Sequence, residues 1–315
     1  MSAKPRGQVL IINNEHFVDK GLSDRAGTLA DRKSLEKLFD TLGFDVRCDS
    51  NKTKEEMWQL LVIEAKRNYH ETAQCFVLFI LSHGHTGVVF GTDGYLKDGH
   101  PQNCLEIKDI IELFCKSKAL QGKPKLFFIQ ACQGAAKNEG HPVGQTDASD
   151  KSRPTKRQKT DPSDSGTPQN SAAAAAAGSA SMTPFSAGHL SDDDNCKQEK
   201  LVLEAKTTLN EVLPSTQADD FGDKIPWNAD VFVALATVSG FLSYRNTTIG
   251  SWFIQAISYV FAKYAYKYDL NKLMTRVNNL VGRAETEEGR YKQVCEKKDT
   301  FQKDFYFFPG LFDSK

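Results

Sequence analysis

"CFVLFILSHG" (Cys75–Gly84) runs through seven consecutive apolar residues and then breaks into Ser-His-Gly. An unbroken apolar run of this length fits a central strand covered on both faces, because an alternating strand has one face in water. "KLFFIQACQG" (Lys125–Gly134) repeats the plan, with a strand over Lys125–Gln130 that ends on Ala-Cys-Gln-Gly. Working outward, "QVLIINN" (Gln8–Asn14), "FDVRC" (Phe44–Cys48) and "ADVFVALAT" (Ala229–Thr237) read as further strands, and "DFYFFPG" (Asp304–Gly310) as a last one. Helical spacing lies between them. Thr28–Gly43 is expected to turn Leu29, Leu35, Leu38, Phe39 and Leu42 to one face, with Gly43 as C-cap. Thr53–Asn68 turns Met57, Leu60, Leu61 and Ala65 inward, a short helix follows at Ile107–Phe114, and further helices at Ser251–Tyr266 and Asp269–Leu280. "GVVFGTDGYLKD" reads as a hairpin turning at Asp93-Gly94. Strands alternating with helices give an α/β fold: a mostly parallel six-stranded central sheet flanked by helices on both faces.

The alternation stops between about Ala135 and Asp223, where Ser, Asp, Lys, Pro, Gly and Ala dominate and large apolar residues are few. Such a segment cannot offset its ordering entropy, so a long disordered insertion is expected, with Lys200–Leu213 as a transient helix.

Composition excludes several classes. The 315 residues carry 40 basic and 40 acidic side chains, so no overall charge draws the chain to nucleic acid or a membrane surface. No apolar run approaches a membrane span, and the N-terminal residues carry no signal peptide. The seven cysteines are scattered and unpaired by spacing, which argues for a reducing, cytoplasmic setting without structural zinc. No metal-ligand or cofactor motif is present.

Two residues stand at the ends of the central strands: His83 after Leu81, and Cys132 after Gln130. In open α/β sheets ligands bind outside the carboxyl ends of the strands. If these strands are neighbours, an imidazole faces a thiol across one rim, the arrangement that makes a thiolate nucleophile at neutral pH. The amides of Gly84 and Cys132 are placed to receive a developing oxyanion. A lone cysteine at a strand end is usually packing, and a lone histidine beside glycine a turn residue. The pair in this context reverses both readings. The rival base, His85, reads as an exposed turn residue.

Q-A-C-[RQG]-G with a histidine about 50 residues upstream is a caspase signature, and the chain resembles that family over nearly everything outside the insertion. The resemblance rests on "LIINN", "DRAGT", "ILSHG", "FGTDG", "GKPKLFFIQACQG", "KIPWNADVFVALATVSGFLSYRN", "GSWFIQ" and "YFFPG". It implies a cysteine endopeptidase cutting after aspartate, with Cys132 as nucleophile, His83 as base and acid, and Gly84 with Cys132 supplying the oxyanion amides. It places Arg25, Gln130 and Arg245 in the pocket for the residue before the scissile bond (P1). Two guanidinium groups and an amide suit a short carboxylate. Leu242, Tyr244, Asn246 and Trp252 would line the P2 and P4 sites, with core packing as the alternative. Ser243–Arg245 would pair with substrate as an added strand.

By resemblance the domain divides into a large subunit (1–147), a linker (148–223) and a small subunit (224–315). Asp147 in "PVGQTDA" is the first choice for processing, with Asp164, Asp192–Asp194, Asp220 and Asp223 further candidates. "QACQG", "LSYRN" and "GHPVGQTD" lean toward the initiator caspases eight and ten, whereas Ser23 and Ala26 depart from that branch. Only six residues precede Gly7, so no recruitment prodomain is expected, and either an upstream segment has been removed or another protease or an adaptor activates the protein. The aromatic Phe305–Phe308 is expected to form the edge of a symmetric homodimer. "RPTKRQK" (Arg153–Lys159) admits two readings, a nuclear-import signal or, more readily, a solubilising charge run. Two rival functions stay open: a catalytically silent regulator that heterodimerises with a true caspase, and a peptidase cutting after a basic residue.

Overall fold

The computed structural model describes residues 6–19, 21–140, 226–286 and 289–307. In chain order the elements are β1 (Gly7–Asn13), α1 (Thr28–Thr41), β2 (Asp45–Ser50), α2 (Lys54–Ala65), the one-turn α3 (Tyr69–Thr72), β3 (Cys75–Leu81), β4 (Gly84–His85), β5 (Val88–Lys97), β6 (His100–Glu106), α4 (Ile107–Cys115) and β7 (Lys125–Gln130). After the undescribed stretch come β8 (Val231–Leu235), β9 (Arg245–Asn246), β10 (Gly250–Ser251), α5 (Trp252–Tyr264), α6 (Leu270–Arg283) and β11 (Glu296–Asp299).

The central sheet has six strands in the order β11-β8-β7-β3-β1-β2, all parallel except β11, which runs antiparallel to β8. Because strand side chains alternate, each buried strand feeds two cores. Val9, Ile11, Val77, Phe79, Leu126 and Phe128 face α1, α5 and α6, and Leu10, Ile12, Phe76, Leu78, Phe127 and Ile129 face α2 and α4. Stacked rings join neighbouring strands, Phe79 on Phe128 with centroids 4.7 Å apart. Helix starts are fixed locally. Thr53 and Glu56 form a capping box on α2, and the Ser251 and Asp269 side chains cap α5 and α6.

Four expectations are corrected. The sixth strand is β11, not Asp304–Gly310. Residues 304–307 carry no strand, and Phe305 and Phe307 are buried in the core against Phe39, Phe44 and Phe261 instead of forming an edge. The hairpin turns at Asp98-Gly99, both in the left-handed region (φ 51° and 79°) as a type I′ turn requires. Asp93-Gly94 lies inside β5 at a register shift, where the Asp93 carboxylate accepts the Lys54 amide. Leu29 is 44% exposed, because its angular position on the helix lies off the Leu35–Leu38–Phe39–Leu42 stripe, while Thr28 and Asp31 are buried. Finally, Ala136 bridges Phe241 and Asn138 bridges Lys292, so the chain stays in place for several residues beyond Ala135. The proposed processing residues Asp147, Asp164, Asp192–Asp194, Asp220 and Asp223, the segments Arg153–Lys159 and Lys200–Leu213, and Phe308 all lie outside the described residues.

Candidate active site

The register of the two central strands builds the site. Leu81 pairs with Gln130, and the Ser82 amide donates to the Gln130 carbonyl at 3.1 Å. Both chains therefore leave the sheet at the same level, and Ser82-His83 and Ala131-Cys132 emerge side by side. A Cβ on Gly84 would lie 2.9 Å from the Ala131 Cβ and 3.0 Å from the Cys132 carbonyl oxygen, so only glycine lets these backbones approach. Gly134 does the same behind the cysteine: its φ is +152°, and a Cβ there would sit 2.3 Å from the Gly240 backbone. Gln133, fully buried, locks the turn. Its amide donates to the Phe241 carbonyl, and its own carbonyl accepts from Gly240 N and Thr86 Oγ1.

The Cys132 sulfur is half-buried and receives the Ser243 amide at 3.5 Å, with the Ser243 hydroxyl at 3.7 Å. His83 stacks edge-on against Phe17 (4.6 Å between centroids), and its Nε2 lies 2.7 Å from the Ser23 carbonyl. A carbonyl only accepts, so Nε2 carries the proton and the lone pair sits on Nδ1. Burial, and then the nearby Arg25 guanidinium, push the imidazole pKa down to about 4, against the pull of the Ser23 carbonyl. The ring is thus neutral at pH 7 and free to accept a proton. Because the folded pKa is depressed, the acid limb of kcat/KM is expected well below pH 6.5, with activity lost only as pH falls toward 4. A pH–rate profile with that limb at or above 6.5 would contradict the depressed imidazole.

Arg25 follows β1 and is 1% exposed. Its Nη1 donates to the Asn14 carbonyl and to Thr28 Oγ1, both at 2.9 Å, while Nη2 is buried and meets no acceptor among the described residues. Gln130 is equally buried. Its Nε2 donates to Ser243 Oγ at 3.1 Å, and its Oε1 meets no donor among the described residues. Arg245 is half-buried, and its Nε donates to the Ala26 carbonyl at 2.8 Å. Burial and the like charge of Arg245 lower the Arg25 pKa to about 9, which leaves it cationic at neutral pH. An unpaired buried N–H in a cationic pocket is a vacancy for an anionic acceptor.

The other expected lining residues divide. Leu242 and Ser243 are half-buried beside Ala136 and Cys132. Asn246 accepts the Thr248 and Ile249 amides through its side-chain Oδ1, and so shapes the turn to β10. Trp252 and Tyr244 are 1% and 8% exposed and pack on each other at 5.0 Å, so the packing alternative describes Trp252 better than an open P4 wall. His85 is half-buried in β4, not an exposed turn. Phe17, the Ser23 carbonyl, Thr28 and Asp31 were not anticipated. The first two orient His83, and the last two sit under the arginines. Among the described residues no cluster suits a metal ion, and no helix is long and apolar enough to cross a membrane.

Comparison with known proteins identifies the family. The Caspase domain family (Peptidase C14) matches residues 6–306. Chicken (Gallus gallus) Caspase-7 is 32% identical over 98% of this chain and 79% of its own length. Cell death protein 3 of Caenorhabditis remanei is 33% identical over 97% of this chain, which spans only 51% of that protein. Among solved structures, Caspase-1 from Spodoptera frugiperda superposes with a TM-score of 0.66 at 25% identity, covering 96% of this chain and 90% of that one. With the caspase-domain match spanning almost the whole described chain, this protein belongs to the caspase family of cysteine proteases.

Proposed function

We propose that this protein is an endopeptidase that cuts polypeptides after aspartate. The observation that carries the reading is the unpaired Nη2 of Arg25, buried beside Arg245 and Gln130 on the same sheet rim as Cys132 and His83. A P1 aspartate carboxylate would fill that vacancy with charge-assisted hydrogen bonds. His83 Nδ1 takes the Cys132 proton, and the sulfur attacks the carbonyl carbon. The charge that develops on the carbonyl oxygen rests on the Gly84 and Cys132 amides. The imidazolium then returns its proton to the departing amine, leaving a thioester. Water, deprotonated by the same imidazole, hydrolyses the thioester and restores the thiol.

Activation follows the same reading. Cleavage at Asp147 and at the later linker aspartates would yield large and small chains, and two such pairs would join about a two-fold axis in an apoptotic or inflammatory pathway. With Phe305 and Phe307 in the core, the pairing edge passes to β11, the strand that ends the sheet beyond β8. The lean toward caspases eight and ten rests on "QACQG", "LSYRN" and "GHPVGQTD".

The test is a set of fluorogenic tetrapeptides differing only at P1. Aspartyl is expected to be cleaved at least about 100-fold faster than asparaginyl or lysyl, which leave the cationic site unpaired, and about 10-fold or more faster than glutamyl, whose carboxylate is pushed one methylene too far. Equal rates would refute the P1 assignment. A faster lysyl substrate would establish the basic-P1 alternative, and silence after linker cleavage the regulator.

A further inference from the structure

Asp31 is a carboxylate without solvent exposure, in the first turn of α1. Burying a charge costs several kcal/mol unless the surroundings offset it. Its Oδ1 accepts the Ser251 amide at 2.8 Å and Gln255 Nε2 at 3.4 Å, and its Oδ2 meets no donor among the described residues. The cations within electrostatic reach are the two pocket arginines, Arg25 and Arg245, which repel each other. Asp31 favours the charged form of both, and Glu15 adds a weaker contribution to each. Burial raises the Asp31 carboxyl to about 6, which leaves it mostly ionised at neutral pH.

Asp31 also ties together the elements that carry the arginines. Ser251 is the direct cross-strand partner of Arg245 in the β9–β10 hairpin, so the bond to its amide fixes that hairpin against α1. Gly250 makes room for the contact: its φ is +101°, and a Cβ there would lie 2.1 Å from Asp31 Oδ1. Arg25 is bound to the same helix end through Thr28 Oγ1.

Resting on the P1-aspartate reading, we infer that Asp31 is a positioning residue that substitutes for the substrate carboxylate while the pocket is empty. It offsets the repulsion of the paired guanidinium groups and holds them in place. Because it has the same sign as an aspartyl ligand, it also lowers the pocket's affinity for that ligand.

The two effects separate in Asp31→Asn, which keeps an oxygen acceptor for Ser251 and removes the charge. The probes are two reversible peptide aldehydes identical except for a terminal aspartyl or asparaginyl residue. The melting temperature of the free variant is expected to fall. Its dissociation constant for the aspartyl aldehyde is expected to fall as well, by roughly threefold or more, because a buried like charge has been removed. Binding of the asparaginyl aldehyde should not change. Aspartyl binding that is unchanged or weaker would reduce Asp31 to a structural clasp and overturn the inference, as would an equal gain for both aldehydes. If the wild-type protein binds the two aldehydes alike, the P1 reading fails first and this inference fails with it. Should Asp31→Asn not fold alone, refolding with the aspartyl aldehyde but not the asparaginyl one should rescue it. Rescue by neither, or by both, would overturn the inference.

Discussion

Cys132→Ala is expected to lower aspartyl-peptide hydrolysis by about 10⁴-fold or more, to the limit of detection, with little change in melting temperature. The sulfur is half-buried and rests against a single loop, where it meets the Ser243 amide and hydroxyl. Removing it opens no large cavity, so the loss would fall on chemistry alone. The substitution bears on processing as well. Intact-mass spectrometry of the purified wild type should show fragments ending at Asp147, while the variant stays whole. A variant that is still cut at Asp147 during expression would assign the cut to another protease. A variant that keeps a tenth of wild-type activity would remove Cys132 from the mechanism.

Arg245→Ala is the second large expected effect: a fall of about 10²- to 10³-fold in kcat/KM on the aspartyl substrate. That corresponds to about 3–4 kcal/mol, the lower part of the range lost when one partner of a desolvated charge pair is removed. Arg245 is the cleaner arginine to test. It is half-buried, and its only described side-chain bond is to the Ala26 carbonyl. Arg25 is sealed in and bonded to Asn14 and Thr28, so its truncation would cost stability as well as binding. Hydrolysis of an asparaginyl substrate, slow in the wild type, should be nearly unaffected by Arg245→Ala. A fall of less than tenfold on the aspartyl substrate would show that Arg25 and Gln130 hold the P1 side chain without Arg245.

The parts of the fold that were legible in the sequence were those whose composition has a single physical use. "CFVLFIL" and "KLFFIQ" are too apolar for anything but a strand covered on both faces, and both were bounded to the residue. β11 was missed because Glu-Lys-Lys-Asp gives no apolar signal; the outermost strand of a sheet carries charge where inner strands carry aliphatics. The aromatic run at Phe305 looked like a strand for the opposite reason. Its rings close the core between α1 and α5, and composition cannot distinguish that from a β-pleat. Two Asp-Gly pairs competed for one turn, and local chemistry could not choose between them, because the Asp93 carboxylate is used by an amide 39 residues away.

The site divides in the same way. Cys132, His83, Gly84, Arg25, Gln130 and Arg245 could be read from motifs, and the structure gathers them on one rim. The groups that orient them could not. Ser23 contributes a carbonyl, which every residue has. Phe17 is one phenylalanine among twenty. Asp31 at the start of a helix looks like an ordinary favourable charge until Gly250 and Ser251 close over it.

Residues 141–225 fall between β7 and β8 in the sequence, and these two strands lie side by side in parallel register, Lys125 against Val231 through Ile129 against Leu235. Phe128 from one side of the gap and Phe232, Phe253 and Phe261 from the other fill a common core. A chain nicked anywhere between 141 and 225 would therefore behave as a complemented pair of fragments, inseparable by gel filtration in native buffer. The fragments would part only in denaturant, in the same transition that melts the sheet.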